Sequence, residues 1–212
     1  MKIESAEFFR SAFAKEDLVA DDRPQVAFVG RSNVGKSSLL NALLAQSPKA
    51  QNAKELARTS STPGRTRSVN YFLIDGRSYF VDLPGYGYAR AGKADKAAWA
   101  ALIDEYFRFE ARPERRERML VIQLVDAKVG ATSLDVEARS YLRDFDFTQC
   151  VVATKVDRLG SNQRPKALAE IRRALSLDDG EELLAVSARS SEGMDRLWRR
   201  IKHHLRESRS PR

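Results

Sequence analysis

Two glycines separated by four residues, and followed directly by lysine and serine, stand near the start of the chain. They are Gly30, Gly35, Lys36 and Ser37 in the segment GRSNVGKS. Glycines let a loop aim successive backbone N–H groups at phosphate oxygens. We expect Lys36 to reach the β- and γ-phosphates of a nucleotide and the Ser37 hydroxyl to ligate magnesium. An apolar run precedes the segment and a leucine-rich helical pattern follows it, which is the context that a P-loop requires.

A second motif with the chemistry of a phosphate site follows the third predicted strand. Asp82 begins the segment DLPG, which ends at Gly85. We expect Asp82 to hold magnesium through a water molecule and the Gly85 N–H to approach the γ-phosphate. Short Asp-to-Gly patterns are common at turns, so the significance of this one comes from its place at a strand end after the P-loop.

Two further segments carry the chemistry that would recognise a base. The first, TKVD, ends at Asp157, whose carboxylate can accept both hydrogen bonds from the N1–H and N2–H₂ edge of guanine. Adenine lacks this pair of donors, and Lys155 would lay its aliphatic stem along the base. In the second segment, SAR, the Ala188 N–H could bond the guanine O6, whereas Arg189 is expected at the surface. Four motifs in this order, each at the carboxyl end of a strand, predict a GTPase.

The hydrophobic pattern between the motifs alternates short apolar runs with helical spacing. Strands are predicted near residues 25–30, 69–74, 78–82, 119–125, 150–153 and 183–186, and helices near 37–45, 95–109, 133–145, 163–175 and 193–205. Asp75-Gly76 indicates a hairpin turn between two strands, and the polar stretch 47–67 indicates a long functional loop. The pattern predicts an α/β fold, a three-layer Ras-like P-loop GTPase domain whose six-stranded, mainly parallel sheet has helices on both faces.

The 212 residues suit one α/β domain, and no composition break or repeat divides them. We expect an N-terminal extension over 1–24 packed on the domain, a GTPase domain over 25–206 and a basic tail over 207–212. The acidic N-terminus argues against a secretory signal and no apolar run predicts a membrane span, so the expected compartment is the cytoplasm. The only cysteine, Cys150, lies in a predicted buried strand and excludes an intrachain disulfide.

The motifs and their surroundings resemble the EngB (YihA-type) GTPases, which stand with the Era- and EngA-like translation-associated GTPases. The resemblance covers about residues 20–205 and is carried by GRSNVGKSSLLNAL, TSSTPGRTRSVNYF, DLPGYGYA and TKVDRLG. It implies a magnesium-dependent GTPase of low intrinsic activity, with GTP and GDP as substrate and product. It also implies a role as a switch in assembly of the large (50S) ribosomal subunit, with linked effects on cell division and septation.

The resemblance further implies that Thr66 is the switch threonine that ligates magnesium when GTP is bound. Its place in the long polar loop agrees, because a mobile γ-phosphate sensor belongs there. Thr59 and Thr62 lie in the same loop and compete for this role, and spacing alone does not separate them.

The candidate site residues fall into three sets. The candidate catalytic residues are Lys36, Thr66 and Gly85. The candidate metal ligands are Ser37, Thr66 and Asp82. The candidate nucleotide-binding residues are Gly30, Arg31, Ser32, Asn33, Val34, Gly35, Lys36, Ser37, Gly64, Arg65, Thr66, Arg67, Ser68, Asp82, Leu83, Pro84, Gly85, Thr154, Lys155, Val156, Asp157, Val186, Ser187 and Ala188.

Two residues depart from a Ras-like site. Tyr86 follows Gly85, where Ras-type enzymes place a water-orienting glutamine; its ring is expected to point away from the phosphates, and basal hydrolysis is expected to be slow. Asn33 either helps to bind a monovalent cation such as K⁺, as in related potassium-activated GTPases, or forms a loop-stabilising hydrogen bond. Arg65 and Arg67 are alternative sources of positive charge, although both suit a surface or RNA-facing role.

The formal net charge of +8 suits a polyanionic partner but equally suits a solvated surface. With the resemblance, the basic segments 108–118 and 196–212 favour contact with ribosomal RNA in a large-subunit precursor.

The chain is expected to be a monomer, with His203 and His204 at its surface. A tRNA-modifying GTPase would need a further domain. A division-associated protein that uses nucleotide mainly for its structure is the alternative.

Overall fold

The computed structural model describes residues 3–45, 49–50, 68–87 and 93–208. Within these ranges, eight strands, β1 to β8 in chain order, form one sheet. The strands are Ser5–Ala12, Gln25–Gly30, Lys49–Ala50, Val69–Ile74, Ser78–Asp82, Met119–Asp126, Thr148–Thr154 and Leu183–Ala185. The α-helices of the described residues, α1 to α5, are Lys36–Leu44, Lys93–Glu110, Ser133–Arg143, Arg164–Ala174 and Met194–Glu207.

The sheet has the order β3-β1-β4-β5-β2-β6-β7-β8. Strand β2 pairs in parallel with β5 and β6, and β7 and β8 continue the parallel series. Strand β4 is antiparallel to both of its neighbours. It joins β5 through a tight turn in which Asp75 and Gly76 have φ of 52° and 62°, so the predicted hairpin is confirmed. Because β2, β5, β6, β7 and β8 run in one direction, their carboxyl ends meet at one edge of the sheet.

Successive residues of each central strand point to opposite faces of the sheet, and each face is covered by helices. In β2, Val26 and Phe28 belong to a core with the leucines of α1 and the apolar side of α5. Ala27 and Val29 belong to a second core, which α2 fills with Leu102, Tyr106 and Phe107. A third cluster packs α4 on β6 and β7. The predicted α/β architecture, with helices on both faces of a mainly parallel sheet, is confirmed.

The predicted number of six strands is wrong, because two further strands extend the sheet beyond β4. Strand β1 lies in the predicted N-terminal extension and pairs antiparallel with β4, with a register shift between Phe8 and Arg10. Its residues 7–10 are exposed, so no alternation of apolar and polar residues marks it. Strand β3 adds only Lys49 and Ala50, within the stretch predicted as a loop.

Two further expectations about side-chain burial have different outcomes. Cys150 is buried in β7, and burial raises the pKa of its thiol to about 12, so a core role is confirmed. His204 is 3% exposed, and its predicted surface position is wrong. It falls on the same side of α5 as Leu197 and Ile201, at helical spacing. Burial lowers the pKa of His204 to about 4, so the imidazole is neutral at physiological pH.

None of the helices described here is apolar over the length that a membrane crossing needs.

Candidate functional site

The P-loop joins the end of β2 to the start of α1. Its backbone takes the left-handed conformation twice, at Asn33 with φ of 67° and at Gly35 with φ of 103°. Glycine adopts this conformation freely and asparagine tolerates it. The left-handed backbone at position 33 therefore favours asparagine even if no cation binds there. Helix α1 begins at Lys36, so its unpaired N–H groups and the positive end of its dipole lie at this loop.

Lys36 and Asp82 form a buried ion pair across the ends of β2 and β5. The Lys36 Nζ contacts Asp82 Oδ1, and the two residues are 8% and 0% exposed. The second carboxylate oxygen, Asp82 Oδ2, is buried and has no hydrogen-bond partner among the residues that the structure describes. Ser37 follows in the first turn of α1 and is half-buried. Next to the P-loop, Asp82 therefore has one oxygen paired with Lys36 and a second oxygen that is available to a ligand.

The chain after Asp82 runs back along the P-loop. Leu83 is buried, and its N–H donates to the Phe28 carbonyl oxygen over 3.3 Å. After Pro84, Gly85 lies so near that a Cβ there would be 3.3 Å from the Gly30 carbonyl oxygen and from the Ser32 nitrogen. Glycine is thus the residue that permits this contact.

Of the predicted loop residues, Gly64, Arg65, Thr66 and Arg67 lie outside the described part of the chain, as do Thr59 and Thr62. Ser68 is described, and it is buried at the start of β4. Its hydroxyl donates to Asn70 Oδ1 over 2.9 Å.

The predicted base-recognition segment is attached directly to the P-loop. The Thr154 hydroxyl is buried and donates to the Val34 carbonyl oxygen over 2.6 Å. The Lys155 ammonium donates to the Asn33 carbonyl oxygen over 2.5 Å, and the next residue, Val156, is buried. Two motifs more than a hundred residues apart in the chain therefore form one continuous surface.

The third and fourth motifs also meet. The Ser187 hydroxyl donates to Asp157 Oδ1 over 2.7 Å, and this hydrogen bond lowers the pKa of the Asp157 carboxyl. Val186 is buried, and Ala188 is half-buried beside Ser187. Arg189 is exposed, as predicted. At neutral pH Asp157 is an ionised acceptor that Ser187 holds in place.

Asp126, at the carboxyl end of β6, is a residue of this edge that the sequence analysis missed. It is 6% exposed, and its Oδ2 lies 2.6 Å from the Lys155 ammonium. Its Oδ1 accepts the Lys128 N–H over 2.9 Å. An aspartate that ends a buried strand beside the P-loop was the available signal. Its partner, Lys155, comes from another strand and could not be read from the sequence.

Tyr86 is turned to helix α3. Its hydroxyl donates to Asp135 Oδ1 over 2.9 Å, whereas its carbonyl oxygen accepts the Ser32 N–H of the P-loop over 2.9 Å. Burial, and next the Asp135 carboxylate, raise the pKa of the Tyr86 phenol, so it stays protonated.

The fold and the four motifs define a P-loop GTPase. A protein-family model described as "50S ribosome-binding GTPase" matches residues 25–155, more than half of the chain. Over 205 residues the chain is 39% identical to the probable GTP-binding protein EngB of Natranaerobius thermophilus, covering 97% of this chain and 100% of that protein. It is 38% identical over 201 residues to the same protein of Clostridioides difficile, covering 95% and 93% of the two chains. The chain belongs to the EngB family of GTP-binding proteins.

Solved structures agree on the fold. A crystal structure of a probable GTP-binding protein engB superposes with a TM-score of 0.65 at 22% identity, covering 86% of this chain and 99% of that one. A structure of Era in complex with MgGDPNP and nucleotides 1506-1542 of 16S ribosomal RNA has a TM-score of 0.57 at 23% identity. The match covers 87% of this chain and 57% of the Era chain.

We expect Asp126→Asn to weaken GDP and GTP binding together by roughly tenfold or more, about the effect of one charge-assisted hydrogen bond. Asparagine keeps an oxygen for the Lys128 N–H but removes the charge that holds Lys155. Isothermal titration calorimetry measures both affinities. Asp146→Asn is the control, since it removes an equal charge from an 83% exposed side chain paired with Arg116. Affinities within twofold of wild type would show that Asp126 does not position Lys155 for the nucleotide.

Proposed function

We propose that this protein is a slow GTP-hydrolysing switch that acts in assembly of the large (50S) ribosomal subunit, in the cytoplasm, with linked effects on cell division and septation. The observation that carries the nucleotide part is the buried Lys36–Asp82 pair with its spare carboxylate oxygen. The ribosomal part is supported by the description of the matching family as a 50S ribosome-binding GTPase.

Magnesium fits the residues at this edge. The ion prefers oxygen ligands, and the buried Asp82 Oδ2 has no partner among the residues described. We propose that Asp82, Ser37 and Thr66 would hold it, with Thr66 coming from the segment outside the described residues. When bound, magnesium would neutralise negative charge on the phosphates of the nucleotide. Lys36, with its ammonium held near Asp82, would bind phosphate, and the Gly85 N–H would be the further donor.

Guanine selection is assigned to Asp157. Its carboxylate is ionised at neutral pH, because the Ser187 hydrogen bond lowers its pKa. Ionised oxygens accept the two guanine donors, and adenine offers no equivalent pair. Lys155 lies along the base, and the Ala188 N–H bonds O6.

Slow hydrolysis is supported by Tyr86. Its hydroxyl is engaged with Asp135, and no glutamine stands at this position to orient water. Basal turnover is therefore expected near or below about 10⁻³ s⁻¹. We propose that groups of the ribosome supply the missing catalytic help. K⁺ held near Asn33 is the competing source.

Ribosomal RNA contact is proposed for the two basic segments. They adjoin in the fold, because the Ser208 hydroxyl donates to the Glu117 carbonyl oxygen over 3.3 Å. Several of their arginines have acidic partners, such as Arg116 with Asp146 and Arg118 with Asp22. RNA phosphates would compete with these exposed carboxylates for the arginines. Because arginine–phosphate contacts release counterions, binding of the RNA should weaken steeply with salt.

We expect Asp157→Asn to weaken GTP binding strongly, because an amide cannot accept both guanine donors. Xanthosine triphosphate offers an oxygen in place of the amine and should recover binding in this variant. Competition between the two nucleotides, followed by fluorescence, provides the measurement. If GTP affinity stays within about twofold, which is below about 0.5 kcal/mol, Asp157 does not read the base.

Single-turnover hydrolysis with and without 50S particles, in sodium or in potassium, tests the source of catalytic help. We expect 50S particles to accelerate hydrolysis and potassium to have little effect. If the cation is the source instead, potassium raises turnover and Asn33→Gly abolishes the gain. Glycine suits this test because it tolerates the left-handed backbone at position 33.

This hydrolysis assay, together with co-sedimentation with 50S particles, separates the proposal from a division-associated protein that uses nucleotide mainly for its structure. Such a protein would show no acceleration by 50S particles and no nucleotide-dependent co-sedimentation with them. A fast basal rate in sodium without particles would mean that the role of Tyr86 is misassigned.

A further inference from the structure

A polar cleft opens at the amino ends of β7 and β8, the edge of the sheet opposite the four motifs. Its volume is about 550 Å³. The end of α3 and the segments that lead into the two strands form most of its wall. Three arginines line it, Arg139 and Arg143 from α3 and Arg200 from α5. The cleft is therefore separate from the candidate nucleotide site.

The donors of the cleft converge on one carboxylate, that of Glu181. Arg139 Nη2 contacts Glu181 Oε1, and Arg143 Nη2 lies 2.9 Å from Glu181 Oε2. The Asp178 N–H donates to the same Oε2 over 2.9 Å. Two guanidinium groups and a backbone N–H directed at one anion are donors that suit an oxyanion. Glu181 therefore occupies a position that would also accept a phosphate group.

Arg139 retains hydrogen-bonding capacity that this arrangement does not use. The residue is 4% exposed, and its Nη1 donates to Gln149 Oε1 over 2.5 Å. Its Nε is buried and has no hydrogen-bond partner in the part of the chain that the structure describes. Burial, and next the charge of Arg143, lower the pKa of the Arg139 guanidinium. Further negative charge in the cleft would therefore stabilise its charged form.

Glu181 lies at the surface, in an acidic loop between α4 and β8. Residues 176–182 read SLDDGEE, so four of these seven residues are acidic. The Glu181 side chain is 28% exposed, and that of Arg143 is 40% exposed. An anion from solvent can therefore reach this ion pair without opening the core.

The other acids of the cleft interact less directly with the α3 arginines. Glu182 is paired with Arg200 over 3.0 Å, and Asp144 and Asp146 are exposed. Glu181 is thus the carboxylate with which an incoming anion would compete.

We propose that this cleft is a phosphate-binding site in which Glu181 is an internal counterion that the phosphate displaces. Phosphate oxygens match the planar fork of a guanidinium, so Arg139 and Arg143 would each bind one face of the anion. The phosphate belongs to an RNA backbone or is free in solution, and the net charge of +8 favours the polyanion. The inference goes beyond the proposed function, because both arginines and Glu181 lie outside the two basic segments.

The test measures the affinity of the GDP-bound protein for a fluorescein-labelled single-stranded RNA and, separately, for inorganic phosphate. Bound GDP keeps the phosphate out of the P-loop. Glu181→Gln removes the competing charge and keeps an oxygen for Arg139, so it should raise the affinity about tenfold. A gain for RNA alone identifies the backbone as the source, and a gain for both ligands identifies a site that also takes the free ion. The salt concentration is held fixed throughout.

Arg143→Gln tests the site independently, because its exposed side chain can be replaced without a buried cavity. It should lower the affinity about tenfold, and combining it with Glu181→Gln should abolish the gain. The matched controls are Glu192→Gln and Arg164→Gln, which remove the same charges from another exposed ion pair, at 2.5 Å. We expect each control to change the affinity less than twofold.

Unchanged or weaker binding of both ligands in Glu181→Gln would overturn the inference, as would equal effects in the controls. RNA binding by the wild type that neither cleft variant alters would also overturn it, while leaving RNA contact by the basic segments in place. Failure to bind GDP would instead overturn the proposed function, and the RNA titration would still decide whether the cleft binds phosphate.

Discussion

Lys36 and Asp82 bring two opposite charges together where water is nearly excluded, with 8% and 0% of the residues exposed. Removing two ions from water costs several kcal/mol for each, and their attraction offsets this only when every remaining polar atom is also satisfied. Asp82 Oδ2 has no partner within the described residues. The ion pair therefore contributes little to the stability of the fold. The physical reason for burying it is a ligand that satisfies the remaining Asp82 oxygen.

The parallel arrangement of β2, β5, β6, β7 and β8 is what makes this site possible. It places the P-loop, the Asp82 motif and both predicted base-recognition segments at one edge, where hydrogen bonds join them. Thr154 and Lys155 bind the P-loop carbonyls of Val34 and Asn33, and Ser187 holds Asp157. Tyr86 extends the network to the capping box of α3.

Local chemistry made much of this predictable from the sequence. The hairpin at Asp75-Gly76 follows from two residues that tolerate positive φ, and the motif positions follow from where apolar runs end. Strand β1 was missed because its exposed residues and register shift hide the period of two. His204 was misjudged because the arginines around it obscure its helical register. The partners of Asp126 and Tyr86 were missed because they lie 29 and 49 residues away and only the tertiary fold brings them near.

Equilibrium unfolding combined with GDP titration tests most directly whether the buried Lys36–Asp82 pair serves nucleotide binding and not the stability of the fold. Lys36→Met alone leaves Asp82 uncompensated and should lower the free energy of unfolding by about 3 kcal/mol or more. Lys36→Met combined with Asp82→Leu removes both charges and should restore stability to within about 1 kcal/mol of wild type, with no measurable GDP binding. A double variant as unstable as the single one, or one that binds GDP with wild-type affinity, would contradict the account.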